Sequence, residues 1–186
     1  MSDLMLDVSQ AAELKMAFRR SNWTNEKIKR LSEGDMLARV LEVIEGRAEI
    51  KMIEHWIDCD AQPFIPDGWK VEEHRSGGQW KFNPQKISLY LSKKQNKGTV
   101  CGNDLRQELA DKPVLNANVL GFLLAHTELI PEEWKGKFIF FWGTIYRDAV
   151  GRLYVRYFGW DGSQWSWNYN NLDHVLGTDN PAALAS

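Results

Sequence analysis

KFIFFWGTIYRDAVGRLYVRYFGWDGSQWSWNY, residues Lys137 to Tyr169, decides the fold. It reads as an antiparallel meander of three strands. The first strand is KFIFFWGTIYR; the turn DAVG closes on Gly151, where a positive φ suits glycine; the second strand is RLYVRYFGW. Asp161-Gly162 is a tight-turn dipeptide, and QWSWNY forms the third strand. Along that third strand Trp165, Trp167 and Tyr169 share one face and Ser166 and Asn168 the other, because side chains alternate with period two. Such alternation predicts that Trp165 and Trp167 are core. The first two strands are apolar on both faces, which leaves a second aromatic layer for a surface. The residues assigned to it are Tyr146, Tyr154 and Trp160, on the side opposite Trp165 and Trp167, with Arg147 and Arg156 on adjacent strands supplying cationic contacts. Trp160, beside the turn, is expected to be more exposed than Trp165 and Trp167.

Upstream of the meander the pattern changes to helices and short strands. Asn116 or Asn118 opens a helix in which Val119, Leu120, Leu123 and Leu124 face inward, and Asn103 caps a shorter one ending before Pro113. Pro131 starts a last helical turn. KISLYLS (Lys86 to Ser92) is a half-buried strand, and WKVEEHR-SGG-QWKF reads as a hairpin around Gly77 and Gly78. Lys51 to Asp60 is apolar without a deciding period, strand or helix. The tail TDNPAALAS is expected to fray.

The first fifty residues read as three helices. The first runs from about Ser9 to Arg20; the second is capped by Thr24, with Trp23 stapled to Ile28; the third is capped by Ser32 and stops at Gly46. Met36, Leu37, Val40, Leu41 and Ile44 give the third an apolar stripe. Composition shifts at the same place: eight of the nine Trp and all five Tyr follow residue 50. The chain is therefore expected to hold a helical module over 1–50 and an aromatic-rich domain over 51–186. The fold class is α+β: a three-helix module, then a mainly antiparallel sheet with two or three packed helices.

Three stretches each resemble a recurring segment of one set of proteins: SNWTNEKIKRLSEGDMLARVLEVIEGRAEI, IDCDAQPFIPDGWKVEEH, and KPVLNANVLGFLLAHTELIPEEWKGKFIFFWGTIYRDAVGRLYVRY. Together they are similar to an uncharacterised family of bacterial hypothetical proteins. The resemblance covers most of the chain. It implies a bacterial, cytoplasmic protein and supplies no activity and no catalytic residues.

Composition and motifs narrow the function. With 44% apolar and 26% charged residues and a net charge of −2, the chain has a globular balance and no global field toward nucleic acid or an anionic membrane. The two cysteines, Cys59 and Cys101, match no metal or redox spacing and read as reduced thiols of a cytoplasmic protein. The amino-terminal residues lack the pattern of a signal peptide, and no apolar run spans a bilayer, so no membrane partner is expected. No Walker loop, G-x-S-x-G, G-x-G-x-x-G or zinc-type histidine spacing occurs, so no cofactor and no metal are expected. Asp58 and Asp60 beside His55 form a D-x-D, the arrangement a metal-dependent hydrolase or phosphotransferase uses to hold Mg²⁺. The plainer account is a strand end turning into a Pro-rich loop. Residues 70–97 carry seven Lys or Arg against two Glu, with Trp80, Phe82 and Tyr90 nearby, a composition able to track single-stranded nucleic acid. Arg39 faces Glu42 and Glu45 on the third helix, the wrong balance for a DNA-recognition helix. The favoured reading is a non-catalytic interaction module that binds another protein through its aromatic sheet. Nucleic-acid binding through 75–97 is the alternative, and the Asp58/Asp60 enzyme is third.

Overall fold

A computed structural model describes residues 5–51 and 53–186. The protein is α+β: N-terminal helices followed by an antiparallel-rich sheet. It divides into two units between Ile53 and Glu54.

The first unit holds α1 (Val8–Arg20), α2 (Asn25–Leu31) and α3 (Met36–Ile44). Asp7 caps α1 through a reciprocal box with Gln10, and the Thr24 side chain accepts from the Lys27 N–H at the start of α2. Ser32 does not cap α3 as expected. It closes α2, its hydroxyl donating to the Lys29 carbonyl, and α3 begins after Asp35, whose carboxylate is engaged by Arg39. No residue of these three helices is buried, and the α3 stripe stays open, with Ile44 76% exposed.

The second unit is built on a six-stranded sheet. Its main path runs β4 (Ile87–Tyr90), β10 (Ala182–Ala185), β6 (Phe138–Arg147), β7 (Leu153–Trp160), β8 (Trp165–Asn171). β2 (Lys70–His74) pairs with the last residues of β6 on the edge away from β7. The meander is present, with Gly151 at φ 92° and Gly162 at φ 101° in its turns. Two flanking elements differ from the sequence expectation. The expected hairpin is absent: β2 pairs with β6, whereas β3 (Gln79–Lys81) pairs with β1 (Trp56–Asp58). Glycines at a reversal are compatible with a hairpin, yet each strand finds a longer-range partner. The tail is not frayed either. Ala182 to Ala185 lie antiparallel to β4 and touch β6 in parallel at Phe140, and Ala183 is fully buried. Its small side chains suit a strand packed on both faces, which a low-contrast AALA run does not announce.

Each face of the sheet carries a core. On one, α5 (Ala117–Ala125) covers Ile139, Phe141, Phe158 and Ala183 together with Trp134. On the other, α4 (Gly102–Glu108) and the two-stranded ribbon of β5 (Val100–Cys101) and β9 (Val175–Leu176) cover Phe140, Trp142, Ile145 and Val155. α4 starts from Cys101 rather than Asn103, whose amide instead donates to Asp173. Asn116 caps α5, accepting from the Asn118 N–H.

The two cores meet at an irregularity in β6. Phe140 pairs with Tyr157 and Ile145 with Val155, so residues 141–144 of β6 face a single residue of β7. Gly143 lets this bulge touch the α5 cap: a Cβ there would lie 2.9 Å from the Asn116 backbone. Thr144 Oγ1 accepts from the Ala117 N–H at 3.0 Å and lies 2.8 Å from His74 Nδ1. His74 Nε2 lies 2.9 Å from the Cys59 carbonyl, which can only accept, so Nε2 donates to it. β2, β6, α5 and the end of β1 are thereby tied by one chain of hydrogen bonds, buried at Thr144 and part-buried at His74.

Candidate functional site

Beyond the β6 bulge, the α5 face of the sheet continues past the reach of α5. The register places Tyr154 opposite Asn171, Arg156 opposite Tyr169, Phe158 opposite Trp167 and Trp160 opposite Trp165. Directly opposed residues share a face. Tyr146, Tyr154, Arg156 and Trp160 therefore stand on the same face as Trp165 and Trp167, not the opposite one. The expected outer aromatic layer does not exist, because α4 and the β5–β9 ribbon cover that side. Trp165 packs against the Phe158 core, while Trp167 is 42% exposed.

At the centre of the uncovered end is Arg156, only 6% exposed. Its guanidinium carbon lies 4.1 Å from the Trp167 ring centre and 5.7 Å from that of Phe64. Phe64 comes from the unpaired segment 61–69, which also supplies Trp69, its ring tilted 4.5 Å from Tyr154 and 5.0 Å from Tyr169. Tyr146, fully buried, meets Tyr169 edge-on at 5.2 Å. The walls of the cage are thus aromatic, and among the described residues no carboxylate pairs with Arg156. Arg156 Nε and the hydroxyls of Tyr146 and Tyr169 are all buried without a partner in good hydrogen-bond geometry, the Tyr146 hydroxyl lying beside the guanidinium.

The electrostatics follow from that burial. Desolvation lowers the Arg156 pKa, opposed by the neighbouring Tyr169 and Tyr146. Desolvation raises Tyr146, helped by Tyr169 and opposed by Arg156, and burial likewise raises Tyr169. The phenols stay protonated, so neither offsets the guanidinium charge. An ion left unpaired at this depth costs several kcal/mol, which makes an uncompensated arginine a mark of missing chemistry rather than of packing.

The other sequence candidates lie elsewhere. Arg147 is on the opposite face, bound to Glu72 by Nε–Oε2 at 2.7 Å and Nη2–Oε1 at 2.6 Å. Trp160 is half-buried, with the Lys135 ammonium 4.1 Å over its ring, and Trp167 rather than Trp160 is the exposed tryptophan of the meander. Tyr154 donates to Asp148 at 3.2 Å. Asp58 Oδ1 accepts from the N–H groups of Asp60 and Ala61, and Asp60 Oδ1 accepts from Ser76, Gly77 and Gly78. Both carboxylates fasten loop backbone, and the bonds to Ser76, Gly78 and Gly77 hold Asp60 below its ordinary pKa. His55 packs against His126, tilted at 5.0 Å, and meets Phe122 edge-on at 5.4 Å. Among the described residues, no three His, Cys, Asp or Glu side chains gather as a metal centre needs. Burial raises the Cys59 thiol pKa, with Asp60 and Asp58 adding to it, the reverse of an activated nucleophile.

Phe64, Trp69 and Tyr169 complete the cage and were not among the sequence candidates. The signal for Tyr169 was its place opposite Arg156; Phe64 and Trp69 come from a loop far upstream, with no local cue to their destination. No known family model, curated protein or solved structure matches the chain.

Proposed function

We propose that this protein is a non-catalytic binding module that captures an acidic segment of another protein at the aromatic end of its sheet. One observation carries the reading: Arg156 is buried without a counter-charge, under two aromatic rings that are themselves open to solvent, Phe64 at 58% and Trp167 at 42%. Aromatic and arginine side chains together make the anchors on which binding energy concentrates. An acidic partner supplies the missing charge, and the exposed rings supply contact area around it.

Nucleic-acid binding through 75–97 ranks lower. Arg75 is bound to the Lys112 and Leu109 carbonyls, Lys81 is paired with Glu54, and Lys94 with Asp104. Trp80 and Phe82 pack on one core and Tyr90 on the other, so their faces are not free for bases. The D-x-D enzyme ranks last, since its carboxylates are engaged by backbone. No helix among the described residues is long and apolar enough to cross a membrane. The reading places the module in the bacterial cytoplasm, in keeping with two unpaired cysteines.

Affinity capture with the full chain tests it. The immobilised wild type is expected to retain a protein that the Phe64→Ala/Trp167→Ala variant loses at unchanged melting temperature. Equal retention by both would refute this surface, and a salt-sensitive mobility shift with oligonucleotides would favour the alternative.

A further inference from the structure

We infer that the Arg156 cage is a carboxylate-binding site, taking one monoanionic carboxylate between the guanidinium edge and the hydroxyls of Tyr146 and Tyr169. This inference rests on the reading of the aromatic end as a binding surface and names the group recognised there.

Three donors converge on this end of the sheet, Arg156 Nε and the two phenol hydroxyls, and none has a partner in good hydrogen-bond geometry; the Tyr146 hydroxyl lies beside the guanidinium and can only accept from it, so its own proton stays free to donate. With its central carbon 4.1 Å from the Trp167 ring centre, the guanidinium is covered by that ring, and its edge is left for polar partners. That edge is a planar fork of N–H groups, which matches the two oxygens of a carboxylate. The phenols, which burial keeps protonated, can then donate as well. Charge sets the class. Arg156 brings a single positive charge; Arg147 at the end of β6 is neutralised by Glu72 on the far face, and Arg152 in the following turn by Asp148. One charge balances a carboxylate; a phosphate dianion would leave a net negative charge in a site walled by six rings. Those rings are Phe64, Trp69, Tyr146, Tyr154, Trp167 and Tyr169, and they favour a carboxylate carried on an apolar or aromatic body. The donor atoms are closed off from solvent, so a ligand reaches them only if the 61–69 segment, which has no strand partner and carries the exposed Phe64, yields.

A free organic acid and an acidic side chain of a polypeptide share this chemistry. Titrations of the full chain, read by tryptophan fluorescence at constant ionic strength, separate them. The probes are sodium acetate, sodium benzoate, neutral benzamide, sodium phosphate, sodium chloride, and a short amidated peptide with one Glu. Saturable binding of acetate and benzoate, benzoate the tighter, is expected, with benzamide, phosphate and chloride inactive. Arg156→Met is expected to weaken benzoate at least tenfold. Tyr146→Phe/Tyr169→Phe, which removes only two hydroxyls, is expected to weaken it severalfold and keeps the test usable if Arg156→Met does not fold. Tighter binding of the Glu peptide than of acetate assigns the site to a polypeptide; the reverse assigns it to a free acid. Absence of saturable carboxylate binding, preference for phosphate, or equal affinity in wild type and both variants would overturn the site. The outcomes stay distinguishable from the capture experiment: benzoate binding without protein capture removes the protein partner and keeps the site, while capture without carboxylate binding does the opposite.

Discussion

Phe158 and Arg156 stand two residues apart on β7, on one face of one sheet, and their surroundings are opposite in kind. Phe158 is fully buried between Phe141 and Trp165, with Trp134 stacked at 6.1 Å. Arg156 is buried almost as deeply, yet its neighbours leave its charge unanswered. The first arrangement stabilises the fold by removing apolar surface from water. The second costs stability. A sheet that carries both uses one end of a face to support an unfavourable group at the other, which is how binding sites are commonly maintained.

The comparison breaks most directly at Phe158. Truncation to Ala is expected to cost about 3–5 kcal/mol, read by chemical denaturation, because it opens a cavity beneath α5. A loss below about 1 kcal/mol would mean that this end is not the part holding the sheet together. The next largest effect is expected at the junction. Gly143→Ala places a Cβ 2.9 Å from Asn116 backbone and side-chain atoms, so either the bulge or the α5 cap must move, at about 1–3 kcal/mol. If the two ends are mechanically linked through the bulge, the variant also weakens binding at Arg156.

A third test concerns the segment that brings Phe64 and Trp69 over Arg156. Its start is fastened by Asp60, whose carboxyl sits below its ordinary value of 3.8, mainly through the Ser76 hydroxyl and then the Gly78 and Gly77 N–H groups. A group depressed on folding contributes stability in full above its unfolded pKa and loses it as pH falls through the folded value. Melting temperature is therefore expected to drop on acidification from pH 5 toward 3, and Asp60→Asn to flatten that decline while lowering the plateau at pH 7. An unchanged acid limb in the variant would detach Asp60 from the stability of the loop.

These contrasts were only partly legible in the sequence. The meander, its two glycine turns and the Asn116 cap depend on neighbours in the chain, and local pattern shows them. The pairing of β1 with β3, β2 with β6, and β10 between β4 and β6 joins segments far apart, where several partners satisfy the same alternation. That is why a hairpin at Gly77–Gly78 and a frayed tail were reasonable expectations and are not what forms. Arg156, Tyr146 and Tyr154 were legible as a cationic aromatic group. Their face was not: strands apolar on both sides do not say which side a helix will cover, and Phe64 and Trp69 arrive from a loop whose destination only the tertiary fold decides.

The smallest effect is expected at Trp167, where alternation alone predicts a core residue equal to Trp165. Trp165 packs edge-on against Phe158 at 5.4 Å; Trp167 is 42% exposed and lies over a charge. Removing the Trp167 ring forfeits a cation–π contact of about 0.5–2 kcal/mol together with some apolar burial. It also opens Arg156 to water, which returns part of the hydration lost on folding. The two terms oppose, so Trp167→Ala is expected to cost less than about 1 kcal/mol, within the range of ordinary surface substitutions. Trp165→Ala has no such compensation and is expected to cost severalfold more. Parallel denaturation of the two variants, with acrylamide quenching of each, measures the difference. Equal losses would make both ends of this face a single core and remove the distinction on which the Arg156 site depends. Near-neutral stability of Trp167→Ala, with weakened benzoate binding, would show that the ring serves the site rather than the fold.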